Sequence, residues 1–279
     1  MEVRASYELC RRMQRRHDPT FYWATRRLPP DQRPAVHALY GFLRGADEIV
    51  DGAGRTLAPA ARRDALDRWQ AALDHGLAAG GTDHPVLAAL VDAGLRRELP
   101  LAQLSVYMDS MRMDCGPVRI DDDPALDRYM NGSAATVGRV LAPILGAGGR
   151  EEHFARLGVA FQLTNFIRDA AEDLRLDRRY LPGLDADARA AVAHQVARAR
   201  AAFAATAGLH DEMPGAVRRG MCLARAVYER VLDRVEALDF DVLARPAALR
   251  PWELVAAAGG ALLPARGPAA RRSGPPAGP

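Results

Sequence analysis

Two pairs of aspartates with the same internal spacing constrain the fold of this chain more than any other feature. The first pair is Asp47 and Asp51, and the second is Asp169 and Asp173. A spacing of four residues places both carboxylates of a pair on one helix face, about one turn apart. Such like charges repel each other, so a purely structural helix gains no stability from them. If the two helices face each other, four carboxylates converge and require cations.

An acidic pair at helical spacing most often belongs to a solvated helix face. Three features favour a shared site instead. Apolar residues precede both pairs, in the runs ALYGFLRGA and FQLTNFI, an arginine lies close to each pair (Arg44 and Arg168), and the arrangement occurs twice. Oxygen ligands completed by water and phosphate suit Mg²⁺, with Mn²⁺ as a substitute. The pattern therefore predicts metal-assisted binding of a diphosphate.

Composition favours a helical protein and excludes some partners. The length of 279 residues allows one large domain or two small ones, and no shift in composition marks a second domain. Alanine, leucine and valine supply most of the 49% hydrophobic content, and this mixture favours helices. The net charge of +3 is too small to indicate nucleic-acid binding. All 38 basic residues are arginine, so any basic contact to phosphate must come from a guanidinium group.

Apolar periodicity and turn signals predict helices almost everywhere and almost no strands. The predicted fold is all-α, with a single domain over residues 1–265 and a disordered tail rich in proline, glycine and alanine over residues 266–279. The predicted helices cover residues 5–15, 32–51, 59–79, 85–97, 100–113, 124–146, 151–175, 184–207, 214–239 and 250–261.

The lack of a recognisable targeting signal in the sequence predicts a cytoplasmic protein. The N-terminal segment lacks an apolar core long enough for a signal peptide, and the longest apolar stretch, from Leu254, is too short and too rich in glycine to span a bilayer. Three widely separated cysteines lack metal-ligand spacing and suit a reducing compartment. We expect a soluble protein, with peripheral contact at the cytoplasmic membrane face.

Three further segments each have a structural and a functional interpretation. The run HDPTFYWATRRLPP is either an ordinary loop and helix start or a source of diphosphate ligands. The run YMNGSAATVGRVLAPILG, from Tyr129, predicts either close helix packing or space for a long ligand. The arginines of DLRLDRRYLP form either a solvated charge run or a lid over phosphates.

These segments together carry a family resemblance. From about His17 to Arg245 the chain resembles the squalene and phytoene synthase family, and bacterial phytoene synthases most of all because of the YM-x-GSAA-x-x-G pattern. The resemblance implies an all-α isoprenoid synthase fold, a helical bundle around a central apolar cavity. It also implies head-to-head condensation of two prenyl diphosphates through a cyclopropyl diphosphate, most simply two geranylgeranyl diphosphates giving phytoene in carotenoid biosynthesis without NADPH.

The resemblance also assigns residues. The four aspartates, Asp47, Asp51, Asp169 and Asp173, would hold Mg²⁺, and Tyr129 would lie near the reacting carbons. One departure is that relatives often have an aromatic residue where Asn131 stands. The residues that would bind substrate are His17, Thr20, Arg44, Gln162, Asn165, Arg168, Tyr228 and Arg245.

Three alternatives remain at this point. A squalene or dehydrosqualene synthase would use farnesyl diphosphate, and a reductive one would need NADPH. A terpene cyclase would share the fold, although the two acidic motifs followed by YLP argue against it. An inactive family member acting as an assembly partner would have no reason to keep four repelling carboxylates.

Overall fold

The computed structural model describes residues 2–52, 56–250 and 253. Helices dominate this part of the chain, as the sequence predicts. Short 3₁₀ turns cover Leu101–Gln103 and Leu209–Glu212. The α-helices are α1 (Val3–His17), α2 (Pro19–Thr25), α3 (Arg33–Asp51), α4 (Pro59–Ala79), α5 (Leu87–Arg97), α6 (Leu104–Met113), α7 (Asp123–Met130), α8 (Thr136–Ile144), α9 (Glu151–Arg175), α10 (Ala188–Ala205) and α11 (Gly215–Ala237).

Apart from shifts at helix ends, the predicted helices differ from the observed ones at two places, and a third predicted helix lies mostly outside the described residues. The segment expected to be a loop and helix start forms α2, whose N-cap Asp18 accepts a hydrogen bond from the Phe21 backbone N–H at 2.8 Å. A π-helical segment, Asn131–Ala135, separates α7 from α8 inside the predicted helix 124–146. The predicted helix 250–261 lies outside the described residues except for Arg250 and Glu253, and the predicted tail lies entirely outside them.

The helices that carry the acidic pairs follow local sequence rules. Helix α3 has a proline in its first turn and ends before Gly52. Helix α9 has Glu151 and Glu152 in its first turn and Arg175 in its last, charges that complement the helix dipole. Each helix buries one apolar face in the common core, so its acidic residues lie at the edge of that core.

Small residues allow α8 and α9 to pack at very short range. A Cβ atom on Gly138 would lie 2.4 Å from the carbonyl oxygen of Phe154, and one on Gly158 would lie 2.8 Å from that of Ala134. Because both neighbours are backbone atoms, neither glycine can be replaced without moving a helix. The small residue Gly138 of this run therefore allows close helix packing.

Two short strands complete the frame. The two-residue strands β1 (Val118–Arg119) and β2 (Arg178–Arg179) pair in parallel, with Val118 opposite Arg178. This pairing fixes the segment after α9 beside the segment after α6. No helix in the described ranges is long and apolar enough to cross a bilayer.

Candidate active site

A polar cavity of about 580 Å³ receives the side chains of both acidic pairs. Its wall contains six aspartates but only two arginines, so negative charge dominates. Both acidic pairs therefore contribute to the wall of one cavity. The wall is formed by Asp18, Tyr40, Leu43, Arg44, Asp47, Asp51, Tyr107, Met111, Asp114, Tyr129, Ser133, Val137, Gln162, Asn165, Phe166, Asp169, Asp173, Arg178 and Tyr180.

Arginines neutralise the first acidic pair. Arg44 donates a hydrogen bond to Asp47 at 2.5 Å and also pairs with Glu48 on the same helix. Arg178 donates two hydrogen bonds to Asp51, at 2.9 and 2.5 Å, in the bidentate geometry that guanidinium favours. Arg178 also donates a hydrogen bond to the carbonyl oxygen of Asp114, so it joins α3 to the segment after α6. Its side chain is nearly buried, with the residue 9% exposed.

The second acidic pair is only half neutralised. Arg168 donates two hydrogen bonds to Asp169, at 2.7 and 2.6 Å. The carboxylate of Asp173 forms no hydrogen bond or ion pair within the described part of the chain. Burial, and then the negative charge of Asp169, raises the pKa of Asp173 to about 7. Burial raises the pKa of Asp47 in the same way. The site therefore carries negative charge for which the protein supplies no complete compensation.

The donor atoms suit a hard divalent cation, although the described side chains do not form a closed metal cage. No three His, Cys, Asp or Glu side chains in that part of the chain lie close enough to hold an ion by themselves. The Oδ1 atom of Asn165 is buried without a hydrogen-bond partner. Asn165, Asp169 and Asp173 follow at four-residue intervals on α9, so their oxygens share a face. This oxygen-only set fits Mg²⁺ that obtains its other ligands from water and a phosphate.

Sequence reasoning did not find Asp114, which organises the far wall of the cavity. Its carboxylate accepts hydrogen bonds from the hydroxyl groups of Tyr129, at 2.6 Å, and Tyr180, at 2.8 Å. Burial raises the pKa of Asp114 to about 6, although both tyrosines and Arg178 oppose this shift. Asp114 is a single acidic residue after α6 with no repeated spacing, so the sequence holds no signal for it.

A second, apolar cavity of about 330 Å³ adjoins the polar one. Ser133, Val137 and Gln162 belong to both walls and form the junction. The remaining residues of the apolar wall come mainly from α2, α8, α9 and α11: Phe21, Ala24, Thr25, Leu28, Val36, Ala134, Gly138, Leu141, Leu145, Phe154, Leu157, Gly158, Phe161, Val217, Gly220, Met221 and Ala224. A ligand with an anionic head and a hydrocarbon tail needs one polar and one apolar compartment, and these two adjoining cavities provide them.

Comparison with known proteins identifies the family. Residues 14–186 and 183–253 match the sequence profile named Squalene/phytoene synthase. The chain belongs to the squalene/phytoene synthase family. It is 33% identical over 279 residues to a phytoene synthase of Thermus thermophilus, covering 92% of each chain. A phytoene synthase of Arthrospira platensis is 30% identical over 285 residues, covering 89% of each chain.

Solved structures confirm the predicted all-α isoprenoid synthase fold. A squalene synthase from Alicyclobacillus acidocaldarius superimposes with a TM-score of 0.77 at 27% identity, covering 86% of this chain and 96% of that one. A dehydrosqualene synthase solved in complex with a ligand gives a TM-score of 0.79 at 20% identity, covering 93% and 96% of the two chains. The second likeness concerns the fold alone.

The residues that the family resemblance assigned do not all reach the cavity. Arg44, Gln162 and Asn165 line it, as do the four aspartates and Tyr129. Arg168 lies outside this wall and reaches it through Asp169. Tyr228 lines neither cavity and packs on the ring of Phe161 with centroids 4.5 Å apart.

Other assigned residues lie further away. His17 is exposed at the end of α1, next to the wall residue Asp18. Thr20 is in α2, and its side chain is outside the described part. Arg245 is exposed and lines neither cavity. Its guanidinium group donates a hydrogen bond to the carbonyl oxygen of Leu238 and forms an ion pair with Asp241.

Asn131, where relatives often have an aromatic residue, is exposed and accepts a hydrogen bond from Arg139 at 2.9 Å. It lines neither cavity, so this departure does not alter the cavity wall.

Proposed function

We propose that the protein joins two geranylgeranyl diphosphates head to head and releases phytoene and two diphosphates. The observation that carries the proposal is the junction of an acidic cavity with an apolar one through Ser133, Val137 and Gln162. A diphosphate head fits the first compartment and an isoprenoid tail fits the second. The bacterial relatives named phytoene synthase support the choice of substrate.

The acidic compartment would bind the diphosphates together with Mg²⁺ or Mn²⁺. Asp47, Asp51, Asp169 and Asp173 would hold the metal, whose positive charge would make diphosphate a better leaving group when it is bound. The guanidinium groups of Arg44 and Arg178 lie in the same wall and would stabilise negative charge that develops on the departing oxygens. The Asp173 carboxylate is unpaired and half-buried, and a bound cation would offset its repulsion from Asp169.

Two bond-breaking steps complete the proposed reaction. In the first, the C–O bond to one diphosphate breaks, the allylic carbocation alkylates the double bond of the second substrate, and loss of a proton closes a cyclopropane ring. In the second, the remaining C–O bond breaks, the ring rearranges, and loss of another proton gives the conjugated hydrocarbon. No reductant is consumed, so NADPH is not required. Tyr129, at the boundary of the acidic cavity, would contact the reacting carbons or the departing diphosphate.

Water exclusion is the second requirement of this chemistry, because water would capture the carbocation. The apolar wall provides it through aliphatic and aromatic side chains, among them Leu141, Leu157 and Phe161. The ring of Phe166 stacks on Tyr180 with centroids 4.3 Å apart, and both rings line the polar cavity. These residues would therefore direct the cation towards the second alkene.

A squalene or dehydrosqualene synthase is the second candidate, because a squalene synthase at 27% identity shares most of the fold. It would use the same acidic site and differ in the length of the tail. A hydrocarbon pocket rejects a shorter tail poorly, since each missing methylene forfeits only about 0.8 kcal/mol. Some turnover of farnesyl diphosphate is therefore expected under either function.

The deciding experiment is a competition at equal concentrations of geranylgeranyl and farnesyl diphosphate, with Mg²⁺ and without reductant. Products are resolved by mass. A predominant forty-carbon hydrocarbon supports the proposal. A predominant thirty-carbon product, or a requirement for NADPH before any hydrocarbon forms, indicates the second candidate. Absence of diphosphate release from either substrate indicates an inactive partner protein.

The substrates and product also bear on location. We infer that the protein works in the cytoplasm and contacts the membrane surface peripherally, because both tails and the product are hydrocarbons that partition into lipid. Its partners would then be prenyl diphosphates and lipid, and not nucleic acid.

A further inference from the structure

The outer surface of α2 presents large apolar side chains to solvent. Trp23 is 60% exposed and Phe21 is 37% exposed, on a helix of only seven residues. The guanidinium group of Arg26 lies over the Trp23 ring, 5.2 Å from its centroid. An exposed tryptophan next to arginine is a combination found at membrane–water interfaces, where the ring is buried at headgroup level.

The same surface adjoins the opening of the apolar cavity. Phe21 lines that cavity and is also exposed, so it stands at the cavity's edge. Gly220 and Met221 of α11, which are half-buried, also belong to its wall. At Phe21 the apolar cavity therefore reaches the surface.

Arginines without acidic partners lie on or next to α2 and α11, the helices that contribute Phe21 and Met221 to the cavity wall. Arg26 and Arg27 follow α2, and Arg218 and Arg219 lie on α11, just before Gly220. All four are exposed, and none forms an ion pair within the described part of the chain. Exposed arginines without an ion pair in the described part of the chain also occur elsewhere, for example Arg68 and Arg128, so this group is distinguished by its exposed aromatic neighbours Phe21 and Trp23. We call this group the basic aromatic rim, defined by Phe21, Trp23, Arg26, Arg27, Arg218 and Arg219.

We propose that the basic aromatic rim seats the protein on an anionic lipid bilayer, with the opening of the apolar cavity against the lipid. Unpaired guanidinium groups bind phosphate headgroups, and the positive charge complements an anionic surface. The Trp23 ring enters the headgroup region, and Phe21 lies where the cavity meets the acyl chains. Hydrocarbon tails then pass between bilayer and cavity without crossing water. That transfer rests on the proposed function, whereas the lipid binding does not.

Flotation of the full chain with vesicles tests the surface. Vesicles of phosphatidylcholine, with and without phosphatidylglycerol, are the probes. We expect the wild-type chain to float with the anionic vesicles, less so at high salt, and to float weakly with phosphatidylcholine alone. In the double variant Arg26→Gln/Arg27→Gln, we expect the loss of each arginine to weaken partitioning of the protein onto the anionic vesicles about fivefold. Trp23→Ala is expected to reduce the bound fraction with both kinds of vesicle.

Matched variants elsewhere provide the controls. Leu95, 50% exposed on α5, is replaced in Leu95→Ala, and two exposed, unpaired arginines are replaced in Arg68→Gln/Arg128→Gln. These variants are expected to float like the wild type. Equal flotation of rim and control variants, or no flotation of the wild type with anionic vesicles, would overturn the proposal.

A second readout separates this proposal from the proposed function. Diphosphate release is measured in detergent micelles, where no bilayer is needed, and Trp23→Ala is expected to retain the wild-type rate there. If Trp23→Ala no longer floats with vesicles but still releases diphosphate in micelles, the result supports the rim as a lipid-binding surface. If the wild type releases no diphosphate yet floats through the rim, the function fails and the surface stands.

Discussion

The hydroxyl group of Tyr129 donates a 2.6 Å hydrogen bond to Oδ2 of Asp114, a residue fifteen positions earlier in the chain. The other oxygen of Asp114 accepts a hydrogen bond from Tyr180 at 2.8 Å. All three residues line the acidic cavity. Asp114 therefore fixes the direction of the Tyr129 hydroxyl group, and it acts on the proposed reaction as a positioning residue.

The variant Asp114→Asn tests this role. An amide keeps the shape of the side chain but offers only one acceptor oxygen, so one tyrosine loses its partner. We expect kcat to fall about 10- to 100-fold, a loss of about 1.4–2.7 kcal/mol of transition-state stabilisation, with KM nearly unchanged. Steady-state kinetics measures both, and circular dichroism checks the helix content. Asp109→Asn, at an exposed position on the preceding helix α6, is the control. An equal rise in KM would indicate a general loss of substrate binding instead.

The same carboxylate makes stability depend on pH. The pKa of Asp114 is about 6 in the folded protein, above the value of about 4 for an unfolded chain. The folded state binds the proton more tightly, so this contribution to stability is complete below about pH 4 and is lost as the pH rises through 6. Between pH 5 and pH 8 the free energy of unfolding should decrease by about 1 kcal/mol more in the wild type than in Asp114→Asn. Urea unfolding with EDTA present measures the difference, and identical pH profiles would contradict it.

Asp173 should show opposite effects on stability and activity. Its carboxylate is half-buried and unpaired, with a pKa raised to about 7. Asp173→Asn removes the cost of burying the carboxylate and its repulsion from Asp169, and should raise the free energy of unfolding of the metal-free protein by about 1 kcal/mol, after allowing for solvent screening. Turnover with Mg²⁺ should fall at least about 100-fold.

Glu172, the exposed residue next to Asp173, provides the control. Glu172→Gln should change neither the free energy of unfolding nor the turnover appreciably. Excess EDTA should abolish wild-type turnover. Full activity of either Asp173→Asn or the EDTA-treated wild type would exclude the metal role of the acidic pairs.

Arg178 should contribute to stability far more than Arg179, which follows it in β2. Arg178 binds Asp51 and the Asp114 carbonyl in a nearly buried position, whereas Arg179 pairs with exposed carboxylates. Arg178→Gln leaves Asp51 without compensation and should lower the free energy of unfolding by about 2–3 kcal/mol. Arg179→Gln should cost less than about 1 kcal/mol. Chemical denaturation compares the two variants, and equal losses would refute the assignment.

Leu145 should limit the length of the tail that the apolar cavity accepts. Val137, Leu141 and Leu145 line that cavity at four-residue intervals, so Leu145 lies about 12 Å along the helix direction from the junction residue Val137. Leu145→Phe should lower the ratio of forty-carbon to thirty-carbon product about tenfold, because the longer tail meets the added ring. The competition assay measures this ratio. Leu95→Phe, on the exposed surface, should leave it unchanged.

Local sequence was sufficient to predict the helices that matter most. The observed α9 coincides with the predicted helix 151–175, and α3 begins one residue after the predicted helix 32–51 and ends with it. Periodicity, end signals and the acidic spacing are all short-range features, so they survive in the sequence. The π-helical segment was not predicted, because Asn131–Ala135 differs from an α-helix only in which backbone groups pair.

The sequence by itself determined that α3 and α9 each carry two carboxylates on one face, since helical geometry fixes that relation within a few residues. Only the tertiary structure decided that these faces share one cavity, that Arg178 would neutralise Asp51, and that Asp114 would hold Tyr129. The last two relations join residues separated by 127 and 15 positions, and all three arise from helix packing and from the pairing of β1 with β2. No spacing rule reaches across such contacts, because many sequences with the same helices could pack them differently.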